Sequence, residues 1–223
     1  MQPLVTQAKS ALETLRTTPQ NGHIQTGDIR RLSARLYRSL ADKSCGAVLE
    51  ACGKLLAERD WALGVIAFDF AYRVRKQYDE STFAIFESWL ERYVRGWGDC
   101  DDFCTHAFGA LLCQFPSLVD KAFAWAAREE FWMRRAAAVV LIPTLWHDTY
   151  KVESILRVAD ALLLDEHDLV RKGYGWMLKI LYTKEPHAAF DYLQLHSADM
   201  PRVAFRYALE KMDADKRKLL MLK

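Results

Sequence analysis

Apolar residues recur along this chain at helical spacing almost everywhere. Ile29, Leu32, Leu36 and Leu40 fall at i, i+3, i+7 and i+11, which predicts an amphipathic helix. Ile155, Val158, Ala159, Leu162 and Leu163 repeat the pattern. Val65, Ile66, Phe68, Phe70 and Tyr72 mix periods, but their surroundings are rich in alanine and free of turn residues. No stretch alternates apolar and polar over six residues between turn signals, so the expectation is an all-α fold. Breakers cut the pattern into short helices. Pro116 and Pro186 end apolar stretches, and Pro201 is expected at the first position of a last helix. Thr26 is expected to cap one helix, and Asp79, Ser81 or Thr82 to open another. About a dozen helices of roughly ten to eighteen residues result.

A longer period lies over the short one. Trp61, Trp97, Trp132 and Leu169 head similar blocks at spacings of 36, 35 and 37. Small and apolar residues follow each head, as in Ala136-Ala137-Ala138-Val139 and Gly173-Tyr174-Gly175-Trp176. A period in the middle thirties built of helix pairs predicts an α-solenoid. One helix pair cannot bury both of its faces, so pairs stack and one helix of each lines a concave surface. No linker interrupts the array. The expected organisation is a single domain over 1–223, of HEAT-like antiparallel helix pairs around a concave cleft, and a monomer capped by its terminal repeats.

Composition narrows the class. The chain is 51% hydrophobic, which excludes disorder. Its 31 basic and 29 acidic residues nearly cancel, so nucleic-acid binding would require the cations to be sorted onto one face. The longest mostly apolar run, Ala136 to Trp146, is broken at Pro143-Thr144 and is too short to span a bilayer. With no secretory signal read at the start and five cysteines, the expectation is a cytoplasmic protein with reduced thiols and no membrane partner.

Three groups of residues invite a chemical reading. Arg134-Arg135 and Arg171-Lys172 stand 37 apart at equivalent places in two repeats. Stacking would align them as a track for phosphates; the alternative is a solvated face paired with Glu129, Glu130 and Asp168. In Gly96-Trp97-Gly98-Asp99-Cys100-Asp101-Asp102, helical spacing puts Trp97 and Asp101 on one face, an indole beside a carboxylate. The plainer reading is an acidic first turn that complements the helix dipole. Cys100, Cys104 and His106 suggest a metal at first sight, but His106 is rotated by about 200° from Cys104 on a helix and nothing completes four ligands. They are expected to be packing thiols, with no metal and no cofactor. The six histidines, from His23 to His196, are scattered, and Trp89, Trp125 and Trp146 are expected in the core.

Trp97-x-x-x-Asp101-x-Phe103-Cys104, Phe131-Trp132-Met133-Arg134-Arg135-Ala136-Ala137 and the block Leu169 to Leu178 occur in this order. Together they resemble the DNA alkylation repair family, the AlkD-like glycosylases with HEAT-like repeats. The resemblance runs from about Ile24 to the C-terminus. It implies removal of cationic N3- and N7-alkylated purines, such as 3-methyladenine and 7-methylguanine, from duplex DNA without metal, cofactor or base pocket. It implies that Asp101 is the catalytic carboxylate, that Trp97 and Trp176 are the aromatic walls, and that Arg135 holds the DNA backbone. Arg134, Arg171 and Lys172 are the further DNA-binding candidates. Asp102 departs from the family pattern, where a neutral or small residue is more usual, and His23-Ile24-Gln25-Thr26-Gly27 matches an early family helix only loosely. Two other classes remain open: a non-catalytic binder of damaged or branched DNA, and a protein-binding scaffold, which would show an apolar groove in place of a cationic one.

Overall fold

The helical periods are realised as α1 (Leu4–Thr17), α2 (Thr26–Arg38), α3 (Cys45–Ala57), α4 (Trp61–Arg73) and α5 (Thr82–Arg92). Then follow α6 (Trp97–Phe103), α7 (Gly109–Gln114), α8 (Val119–Phe123), α9 (Phe131–Val139) and α10 (Ile142–Trp146). The chain ends with α11 (Val152–Leu162), α12 (Asp168–Lys184), α13 (Pro186–Leu195), α14 (Arg202–Ala208) and α15 (Ala214–Met221). The structure is a computed structural model that describes residues 3–17 and 24–221. His23, part of the loosely matching N-terminal stretch, lies outside the described residues. Among the described residues there is no strand, and no helix is long and apolar enough to cross a membrane. The fold is all-α, as the periodicity requires.

The repeat heads mark helix starts. Helices α4, α6, α9 and α12 begin at Trp61, Trp97, Phe131 and Asp168. Two heads are therefore one residue earlier than the apolar pattern suggested, because Trp132 and Leu169 stand second in their helices. Pro201 is the residue before its helix and not the first within it. Thr26 is the first helical residue, preceded by Gln25 in extended conformation. The break at Pro143-Thr144 is real: α9 ends at Val139 and α10 carries Pro143 near its start, where its missing N–H costs nothing.

Backbone contacts gather the chain into two compact units, Met1–Val94 with His106–Leu111, and Arg95–Thr105 with Leu112–Lys223. In the first, α4 is buried along most of its length and packs on α2 and α3. Asp60 caps it, accepting from the amides of Ala62 (2.9 Å) and Leu63 (3.1 Å). Around it, Phe83 and Phe86 meet Phe108 edge to face at 5.3 and 5.4 Å, the geometry that aromatic quadrupoles favour. Buried Ser33 donates to Asp69 at 2.5 Å, which also accepts from Arg73.

In the second unit, α12 is the central helix and packs on α9, α11, α13 and α14. Its glycines set how closely it can be approached. A Cβ on Gly175 would sit 2.7 Å from the Ala204 carbonyl oxygen and 2.8 Å from Tyr207 Cβ, so α14 lies against bare backbone there. Trp125, Met133, Leu145, Val158, Tyr174 and Met177 fill the core between these helices. Each such side chain contributes about 1.5–3 kcal/mol of transfer free energy.

Candidate functional site

Counting from the first residue of each repeat helix, the fifth positions of α4, α6, α9 and α12 are Val65, Asp101, Arg135 and Lys172. In the second unit this register turns three charged side chains to comparable places. Trp97 is the first residue of α6 and Asp101 the fifth, so both project from one face. Trp97 is 57% exposed. The backbone after them passes through a π-helical turn at Cys104–Phe108. There the Thr105 hydroxyl donates to the Asp101 carbonyl at 2.6 Å, giving that carbonyl a side-chain partner near the helix end.

Asp101 and Arg135 meet as a fork. Arg135 Nε donates to Oδ1 at 2.8 Å and Nη2 to Oδ2 at 2.7 Å. The third donor, Nη1, reaches the carbonyl of Leu169 in the first turn of α12. Gly173 makes room for this: a Cβ there would lie 3.2 Å from both Cγ and Nη1 of Arg135. The arginine side chain is only 6% exposed and the aspartate 19%. Burial pulls the Arg135 guanidinium down, and the hydrogen bonds and charge of Asp101 more than offset this, holding it above its ordinary value. Cys100 and Cys104 are fully buried beneath the pair, and burial pushes the Cys104 thiol well up. Both thiols pack in the core. Asp99, in the same turn, is raised by burial. Among the described residues no three metal-binding side chains gather.

The remaining candidates divide. Arg134, adjacent to Arg135, turns to Asp165: Nε to Oδ2 is 2.5 Å, while Nη1 donates to the carbonyls of Arg128 (2.9 Å) and Glu129 (2.6 Å). Arg171 Nε donates to the Asp165 carbonyl at 2.6 Å. These two arginines therefore converge on the chain before α12 and not on Asp101. Lys172 lines a cavity of about 540 Å³ with Arg206, Arg217, Tyr207 and Glu210; Glu210 is itself paired with Lys179 at 2.7 Å. Trp176, half-buried, meets Trp146 with ring centroids 6.4 Å apart.

Trp146 corrects an expectation. Trp89 and Trp125 are core residues, but Trp146 is 43% exposed. It ends α10, beyond the break at Pro143, where the chain leaves the core. The break at Pro143 is the sequence signal that could have marked it, because a short helix after a break need not keep the face of the one before. Phe131 and His167 were also not singled out. Their rings stack at 4.1 Å and 3°, and they stand 36 residues apart, one repeat period, which is the signal that could have paired them.

A chemical capacity follows from this arrangement. A carboxylate aimed by two charge-assisted hydrogen bonds, partly open to solvent and one helical turn from an exposed indole, can stabilise a developing positive charge. The indole offers an aromatic face to the same cation.

The family model described as DNA alkylation repair enzyme matches residues 12–212. No curated protein matches the sequence. Among solved structures, the chain is similar to one titled "Predicted DNA alkylation repair enzyme from Enterococcus faecalis", with a TM-score of 0.72 at 16% identity, covering 93% of this chain and 94% of that one. That likeness concerns the fold.

Proposed function

The chain belongs to the DNA alkylation repair enzyme family, and from that premise we propose that it is a glycosylase that hydrolyses the N-glycosidic bond of cationic N3- and N7-alkylated purines in duplex DNA. Family membership places the protein in the repair of alkylation damage. The finer reading rests on one observation, the Asp101–Arg135 fork with the exposed Trp97 one turn away.

The substrate's chemistry suits so sparse a site. An N-alkylated purine already carries positive charge, so its bond to C1′ is weak and the base leaves as a neutral molecule. No general acid is required. As the bond breaks, positive charge moves to the sugar, as in glycoside hydrolysis. Asp101 stabilises that charge and orients the water that attacks C1′; the water's proton passes to the carboxylate or to solvent. Trp97 and Trp176 offer their faces to the cationic nucleotide. Arg135 aims the carboxylate: three of its five N–H groups are engaged, and any contact with a phosphate is left to the 6% of its side chain that is exposed. Lys172 supplies a further phosphate contact. Arg134 and Arg171 assist by shaping the chain ahead of α12 and by adding positive potential. DNA bearing such lesions is the partner, bound by a cytoplasmic monomer.

The test is release of 7-methylguanine and 3-methyladenine from methylated duplex DNA. Asp101→Asn is expected to keep salt-sensitive DNA binding and to lose about 100-fold or more in release rate. Release at the unaltered rate would remove the catalytic assignment of Asp101. Binding without release by either protein would favour a non-catalytic reader of damaged DNA.

A further inference from the structure

Arg135 leans on the first turn of α12, and that turn is capped by an uncommon residue. His167 stands at the N-cap, and its Nδ1 accepts the amide N–H of Leu169 at 3.2 Å. Ser, Thr, Asp and Asn are the usual caps; histidine can serve only with Nδ1 unprotonated. Two contacts hold His167 in this role, one through its ring and one through its backbone. The ring lies flat on Phe131, and the backbone N–H of His167 donates to Asp165 Oδ1 at 2.8 Å. Phe131 is on α9, four residues before Arg135, so the helix that carries the arginine also supplies the surface on which the cap rests. Leu169, whose amide His167 caps, gives its carbonyl to Arg135 Nη1. A continuous run of contacts therefore leads from His167 through Leu169 and Arg135 to Asp101.

We propose that His167 is a positioning residue for Asp101. It holds the first turn of α12 so that the Leu169 carbonyl fixes Nη1, which keeps the other two donors of Arg135 in their fork. When the cap is lost the turn frays, Nη1 loses its fixed acceptor and the guanidinium rotates away from its bidentate alignment. Small displacements of an aimed group matter in a reaction that depends on alignment. The proposal rests on the reading of Asp101 as the catalytic carboxylate.

Two variants separate the cap from the ring. His167→Asn keeps an acceptor and gives up the stack on Phe131; His167→Phe keeps the stack and gives up the acceptor. Three quantities are read in the full chain: hydrogen exchange at the Leu169 amide, the ¹⁵N resonance of Arg135 Nε, and 7-methylguanine release across DNA concentrations. His167→Phe is expected to speed Leu169 exchange and slow maximal release by about fivefold each, the size of a lost cap. The Arg135 resonance moves, and the DNA concentration for half-maximal release does not. His167→Asn stays within about twofold on both rates. The proposal is overturned if His167→Phe leaves the Arg135 resonance and the release rate unaltered, or if His167→Asn falls as far as His167→Phe. An unaltered protein that releases no base overturns the reading of Asp101, and the exchange and resonance readouts then decide the His167 link by themselves.

Discussion

Arg134 and Arg135 are neighbours on one helix, each holds an aspartate through its guanidinium, and the two pairs are built the opposite way round. In the Asp101 pair the arginine is the hidden partner, at 6%, and the aspartate the more open one, at 19%. In the Asp165 pair the aspartate is hidden, at 6%, and Arg134 is the more open, at 21%. Successive helical residues point about 100° apart, so the two arginines serve different neighbours. Arg135 crosses to α6 and to the bare backbone at Gly173; Arg134 turns to the loop ahead of α12. The orientation of each pair decides what it can do. A pair that leaves its carboxylate accessible can meet a cation. One that buries its carboxylate under an arginine, with a backbone amide on the other oxygen, ties a loop to a helix.

Three substitutions test that contrast. Arg135→Ala removes the hidden partner of the open carboxylate and is expected to cost about 3 kcal/mol of stability. It should also slow base release, because Asp101 loses its aim. Chemical denaturation and release assays on the same preparation check both, and release at the unaltered rate would break the comparison from the Asp101 side. Asp165→Asn removes the charge from the other pair and is expected to cost about 2 kcal/mol while leaving the maximal release rate close to that of the unaltered protein. A loss of release as deep as that of Arg135→Ala would erase the distinction between the pairs. Gly173→Ala is the mildest. Alanine gains up to about 1 kcal/mol of helix propensity, but its Cβ meets Arg135 at 3.2 Å, so the guanidinium must shift. Stability should change by less than about 1 kcal/mol while release falls more than DNA affinity does, a combination that thermal melting and the release assay resolve.

Much of this was legible in the sequence for identifiable reasons. Trp97 and Asp101 are four apart on one helix, so a local rule suffices to put them on one face. The repeat heads were visible because each repeat helix starts with or near a large apolar residue. Trp125 was placed in the core correctly because amphipathic context and burial agree there. Trp146 was misplaced because an amphipathic pattern is blind to where a helix ends, and α10 stops at that residue. The division of labour between Arg134 and Arg135 was not legible at all. Adjacent, identical and both charged, they differ only in which neighbour each meets.

Local pattern sets that the chain is helical, where its repeat helices begin to within a residue, and that an indole and a carboxylate share a face. These depend on periods of four and of about thirty-five residues, which are written along the chain. Tertiary structure alone decided that Arg135 forks Asp101 from 34 positions away, that Gly173 leaves room for it and that His167 caps the turn on which it rests. The repeat period brings Asp101 and Arg135 to equivalent places in successive helices, but whether they meet is set by how the helices cross and by which side chain is buried at the crossing.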